Sequence, residues 1–296
     1  MEEIHIEIYA DEIKYNRDPW REKFMYMWIL LVEINKKDQI LNKIIEIRES
    51  VQYQNELHFT WLKNASWLWI ENRKTLLAEK YIDLILSDKE SKFFYFDILW
   101  INLENLDLSY FWSDKWKHYC NIYNRFFRTI VTRSINSYFA WKKVIIDNIY
   151  HDNENSLVWH EYFNWHLLYK LNWNTNLRIN FIDSDHNKEQ SYKKESHFIQ
   201  IIDLILWSVK QLYDKPNKKK WCNFIWNKIR PLVERIRDKP LNRNSSYWYY
   251  HKYNISFFPK SSDNILLLEQ EAENTYMNKF YRERVFFNEN QLSFNF

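Results

Sequence analysis

The sequence predicts an α/β protein, with a mixed β-sheet carrying helices on both faces. Two observations carry that expectation. Apolar residues alternate at period two in several short runs, and between those runs they recur at helical spacing. The order of the two patterns is an opening hairpin followed by strands alternating with helices, which suits a sheet covered on both sides. Neither repeats nor low-complexity segments interrupt it.

Ile4, Ile6, Ile8 and Ala10 alternate with His5, Glu7, Tyr9 and Asp11, which predicts a first strand. A polar turn and a second apolar run, Phe24 to Val32, complete a hairpin. Asp38 is placed as the N-cap of a helix through Ile40, Leu41, Ile44, Ile45 and Ile47. A short strand is expected at Glu56 to Thr60, then a helix from about Ile70 to Leu86. Ser91 to Ile101 reads as a strand, His118 to Phe139 as a helix, and Lys143 to Asp147 as a compact strand ending on a carboxylate. Next come a helix at Asn155 to Leu171, a strand at Leu177 to Asp183, and helices at His197 to Leu212 and Phe224 to Ile236. One domain over 1–240 is expected, with 241–296 as an extension packed on it or partly loose.

Composition excludes several classes. Hydrophobic content of 46% beside 27% charge is that of a globular chain. No stretch approaches the roughly 18 apolar residues of a membrane span, so no membrane association is expected. The start, MEEIHIEIYA, is acidic where a signal peptide is basic, and Cys120 and Cys222 stand too far apart for a disulfide framework or zinc site. A cytoplasmic location follows as an expectation. A net charge of +3 says little; the lysines of 215–220 and 193–194 read either as solvated loops or as phosphate-facing ones.

Glycine is absent, where average usage predicts about 20, and tryptophan occurs 16 times. Trp20 closes Asp18-Pro19-Trp20, and Trp112 and Trp116 bracket a polar loop, contexts that suit glycine. Trp61, Trp67 and Trp69 crowd one stretch, Trp248 sits in a polar one, and Trp207 stands where a small packing residue would fit a helix. Many of these tryptophans are therefore read as UGA codons decoded as glycine in the source lineage, the alternative being a truly Trp-rich, Gly-free chain, and no base-stacking platform is inferred from them.

The chemistry rests on acids. Asp11 and Glu12 end the first strand, Glu56 opens the third, and Asp147 ends the KVIID run. Taken singly, a carboxylate at a strand end is ordinarily solvated. Asp203 differs: it lies in HFIQIIDLILW, where an ionised side chain is costly unless paired or metal-bound. Gln200, three residues earlier, shares its helix face. No glycine-rich phosphate loop or serine nucleophile elbow is present, and the histidines show no metal-ligand spacing.

Tyr9-Ala10-Asp11-Glu12, Glu56-Leu57-His58-Phe59, Val144-Ile145-Ile146-Asp147, Phe181-Ile182-Asp183-Ser184 and Gln200-Ile201-Ile202-Asp203, in that order, resemble the domain of unknown function 3800 family. The family's Ser-Gly after its first Asp-Glu is replaced here by Ile13-Lys14. The resemblance implies a ribonuclease H-like fold whose strand-end acids converge with one on a late helix. It also implies Mg²⁺ or Mn²⁺ held by Asp11, Glu56, Asp147 and Asp203, with Glu12, Asp183 and Gln200 in support. Such hard ions prefer oxygen, and a pair of them clamps the attacking and leaving oxygens of a phosphodiester. The functional expectation is a metal-dependent nuclease or related phosphoryl-transfer enzyme acting on nucleic acid. The alternative is a non-catalytic binding or regulatory protein on the same fold.

Overall fold

The computed structural model describes residues 2–13, 24–59, 72–87, 94–103, 106, 118–139, 142–153, 179–213, 220–238 and 253–258. Within them lie strands β1 (Glu3–Ile13), β2 (Phe24–Glu33), β3 (Phe94–Asn102), β4 (Lys143–Asp152), β5 (Ile179–Ile182) and β6 (Tyr253–Phe258). The helices are α1 (Ile34–Val51), α2 (Arg73–Leu86), α3 (His118–Tyr138), α4 (Lys193–Tyr213) and α5 (Lys220–Asp238).

The six strands form one mixed sheet in the order β5-β4-β1-β2-β3-β6. β1, β2 and β3 form an antiparallel meander, while β4 runs parallel to β1, β5 to β4, and β6 to β3. The expected hairpin is present, and the strands carrying Asp11 and Asp147 are neighbours. β6 falls within the 241–296 stretch and extends the sheet beyond β3.

The period-two alternation sorts side chains between two cores. Tyr9, Trp28, Leu30, Phe96, Ile98 and Trp100 face a layer built from α1, α2, α4 and α5. Ile6, Ile8, Met27, Ile29, Leu99 and Ile101 face α3, through Ile122, Phe126 and Ile130. β2 is buried along its whole interior because both faces are covered. The helix-on-both-faces α/β class is therefore observed.

Three details differ from the sequence reading. α1 starts at Ile34, directly after β2, with Glu33 in the cap position and no side-chain cap, so Asp38 lies inside the helix. Residues 56–58 form no strand: the Leu57 and Phe59 N–H groups donate to side chains, Gln200 Oε1 at 3.0 Å and Asp203 Oδ2 at 2.8 Å. β4 does not stop at Asp147 but continues to Asp152. A bulge between Ile6 and Glu7 passes Asp147 over, with Ile6 opposite Ile146 and Glu7 opposite Asn148. The extra residue interrupts the alternation that marks a strand. The helix expected at Asn155 to Leu171 lies outside the described residues.

Among the described residues Gln52 alone has positive φ, 54°, where α1 ends and its N–H reaches Glu49 O at 3.0 Å. Glycine is the usual occupant of that position. Trp28 and Trp100 are buried in strands, and Trp207 stacks on Phe59 with ring centroids 4.9 Å apart. Trp20, Trp112 and Trp116 lie outside the described residues. No helix among those described is long and apolar enough to cross a membrane.

A candidate acidic site at one end of the sheet

The pleat turns Tyr9, Asp11 and Ile13 of β1 toward α4 and Glu12 toward α3. β1 and β4 pair as far as Ala10 and His151, so Asp152 emerges beside Asp11 at the same end of two adjacent strands. α4 crosses that end and contributes Asp203. Asp11 and Asp203 are 7% and 6% exposed, deep enough that each charge meets little solvent.

Burial raises the proton affinity of all three carboxyls, and neighbouring carboxylates add to it. Asp11 is pushed well above the carboxylate range by burial and then by Asp152, Asp203 and Glu12. Asp152 is pushed up to about 6 by burial, Glu12 and Asp203, with His151 opposing. Asp203 is also raised, chiefly by burial, although His58 and the Phe59 N–H favour its charged form. The His58 Nδ1 stands 3.9 Å from Asp203 Oδ2, with its ring one-third exposed.

Glu56 belongs to this neighbourhood: its charge adds to the burden on Asp203, and its Oε1 accepts a 2.7 Å bond from Ser184 Oγ. The irregular segment carrying Glu56 and His58 is pinned from below. Gln200 Oε1 accepts from Leu57 N–H and from the Arg48 guanidinium, while its Nε2 donates to Ser184 O at 2.6 Å. Arg48, 1% exposed, also donates to Asn55 O at 2.9 Å. Gln200 therefore supports the site by tying two loops to α4.

The remaining predicted residues are placed elsewhere. Asp147 lies about five strand residues, roughly 16 Å, before Asp152; it bonds His5 Nδ1 at 3.0 Å on the surface. Asp183 uses Oδ1 to accept Asp185 N–H at 2.8 Å, and its carbonyl accepts Ser196 Oγ, so it shapes the turn into α4. Glu12 points to the opposite face, with Oε2 3.4 Å from His151 Nε2.

The structure thus gathers Asp11, Asp203 and, nearby, Glu56, but not Asp147. Asp152 occupies the place assigned to Asp147, and sequence reasoning missed it. The signal was present in Ile149 and Tyr150, which resume the strand pattern after the bulge. Among the described residues, no three His, Cys, Asp or Glu side chains form a ready metal-holding group. Comparison with family models, curated proteins and solved structures finds no match to this chain.

Proposed function

We propose that this chain is a divalent-metal-dependent phosphoryl-transfer enzyme, a nuclease on a ribonuclease H-like fold. The observation that carries the proposal is the convergence of Asp11, Asp152 and Asp203, from two adjacent strand ends and one helix, in a buried site that disfavours their charges. Unpaired buried carboxylates cost stability, and a divalent cation offsets that cost by direct attraction. The resemblance to the domain of unknown function 3800 family supports the same reading.

The donor set suits Mg²⁺ or Mn²⁺ in kind, since all three side chains offer hard oxygen ligands and none offers sulfur. Asp11, Asp152 and Asp203 would hold the ion, with Glu56 adjacent. Their side chains must rotate toward a common point to do so. A bound ion supplies charge neutralisation at the phosphoryl oxygens and a more acidic water. The chain's own contribution is to fix the carboxylates on rigid strand ends and to keep the 53–59 segment beside them through Gln200 and Arg48. His58, one-third exposed beside Asp203, would contact a substrate phosphate.

The test pairs calorimetric Mn²⁺ titration with cleavage assays on single- and double-stranded DNA and RNA. Wild type should bind Mn²⁺ and cleave at least one of these. Asp203→Asn should lose at least about tenfold in affinity and abolish cleavage, while its metal-free stability holds or rises. A wild type that binds no Mn²⁺, or a variant with undiminished affinity, would sink the proposal. The competing reading is a binding protein whose acids are structural, and the lack of a ready three-ligand group among the described residues favours it. It predicts that Asp203→Asn destabilises the metal-free fold, because the amide keeps one acceptor oxygen where the carboxylate takes bonds from both Phe59 N–H and Trp207.

A further inference from the structure

Behind the acidic site, on the sheet face covered by α3, lies a second buried cluster. It is built from the sequence neighbours of the acids. Glu12 follows Asp11 and His151 precedes Asp152, so the pleat sends both to the rear. His151 is fully buried, and the Glu12 side chain is 3% exposed. Tyr123 of α3 hydrogen-bonds His151 Nε2, and Glu12 Oε2 lies 3.4 Å from the same nitrogen. The other nitrogen, Nδ1, donates to the main-chain carbonyl of Asp152 at 2.7 Å.

Asp152 pairs with Ile182 of β5 on one side, and no β1 residue pairs with it on the other. The β1–β4 pairing ends at Ala10 and His151, so Asp152 is one residue past the last partner that β1 offers. The β5 ladder holds Asp152 from one side, and the His151 ring fixes its carbonyl. Packing alone does not call for an imidazole here. Phe127, Tyr123 and Phe181 surround the ring with centroids 5.4 to 5.8 Å away, and a phenyl group would fill such a slot without burying two polar nitrogens.

We infer that His151 is a positioning residue for the acidic site: it holds the main chain of Asp152 and so sets the spacing between Asp152 and Asp11. Tyr123 and Glu12 fix its tautomer and ring orientation from the other side. The inference rests on the acidic site working as proposed above, but its consequence is visible without metal.

Two variants separate positioning from packing. His151→Phe keeps a ring in an aromatic slot and removes both nitrogen bonds. His151→Asn loses ring packing but places an amide near the position of Nδ1. The readouts are thermal stability, the carbon-13 carbonyl and carboxyl resonances of Asp152 and Asp11 in metal-free protein, and Mn²⁺ affinity. In His151→Phe the Asp152 resonances should move and Mn²⁺ affinity should fall by about 10- to 100-fold, with a melting temperature near wild type. His151→Asn should melt lower yet recover part of the affinity and bring the resonances back toward wild type. Affinity that simply follows melting temperature would overturn the inference, as would Asp152 resonances unmoved by His151→Phe. If wild type binds no Mn²⁺ the metal reading fails by itself, and the metal-free resonances still decide the role of His151.

Discussion

Asp97 in β3 and Asp11 in β1 lie two strands apart in one sheet, 1% and 7% exposed. Around Asp97 every neighbour suits a carboxylate. Arg133 Nε donates at 3.1 Å, Ser134 Oγ at 2.8 Å and Asn254 Nδ2 at 3.0 Å, and a second Arg133 nitrogen pairs with the other oxygen. Around Asp11 the nearby charges are Asp152, Asp203 and Glu12, all of its own sign. Equal burial thus serves opposite ends. The first aspartate is a closed structural pair joining β3, α3 and β6. The second belongs to a site that gains by acquiring a positive charge, which is why burial alone is a poor guide to role.

The largest expected effect comes from opening the closed site. Arg133→Met leaves the Asp97 charge buried with only neutral donors, and urea unfolding should show a loss of about 3–5 kcal/mol. A loss below roughly 1 kcal/mol would mean that the pair contributes little to holding the sheet edge.

Next is the response of the acidic site to metal and pH. Saturating Mn²⁺ at about a hundredfold over its Kd should add about 2.7 kcal/mol at neutral pH. In metal-free protein the sign is the reverse of the usual carboxylate case. Folded Asp152 holds its proton up to about pH 6, above the ordinary aspartate value of 3.8, so its contribution is present at low pH and is lost as pH rises through about 6. The loss is on the order of 3 kcal/mol. His186 and His197, pushed down to about 4 and 3 by burial and by Arg48, act oppositely below pH 6.5, since the unfolded chain takes up their protons first. The difference between wild type and Asp152→Asn therefore carries the readout. Parallel pH profiles for the two proteins would place Asp152 in solvent-like surroundings.

The smallest effect concerns the tryptophans. UGA should encode most of the 16, those in turn contexts such as Trp20 and Trp112 above all. Trp28 and Trp100 sit in regular strands and need no glycine freedom, so they are where UGG codons should appear if any do. Reading the gene decides this, and UGG at Trp20, Trp112 and Trp116 would end the recoding idea.

Much of the fold was legible because periodicity is a local property. The alternation in Ile4 to Ala10 and the helical spacing around Ile199 to Leu206 mark their elements without knowledge of any partner. Asp203 could be singled out for the same reason, since its apolar neighbours are adjacent in sequence. Asp152 could not, because the bulge at Asp147 breaks the alternation and the polar run Asp147-Asn148 resembles a strand end. Glu56 was found but placed on a strand. The side chains that take its segment's N–H groups, Gln200 and Asp203, lie more than 140 residues away.

By itself, then, the sequence determined the α/β class, the opening hairpin, most element positions and an expensive aspartate on a late helix. Each of these follows from the hydrophobicity of residues close together along the chain. Only the tertiary structure decided which carboxylates share a site and which are neutralised. Asp97 and Asp152 are both acids at or near apolar runs, and nothing local tells them apart. One meets Arg133 across the α3 face; the other meets Asp11 across a parallel pairing. Charge–charge energy depends on distance in space, and sheet register sets that distance.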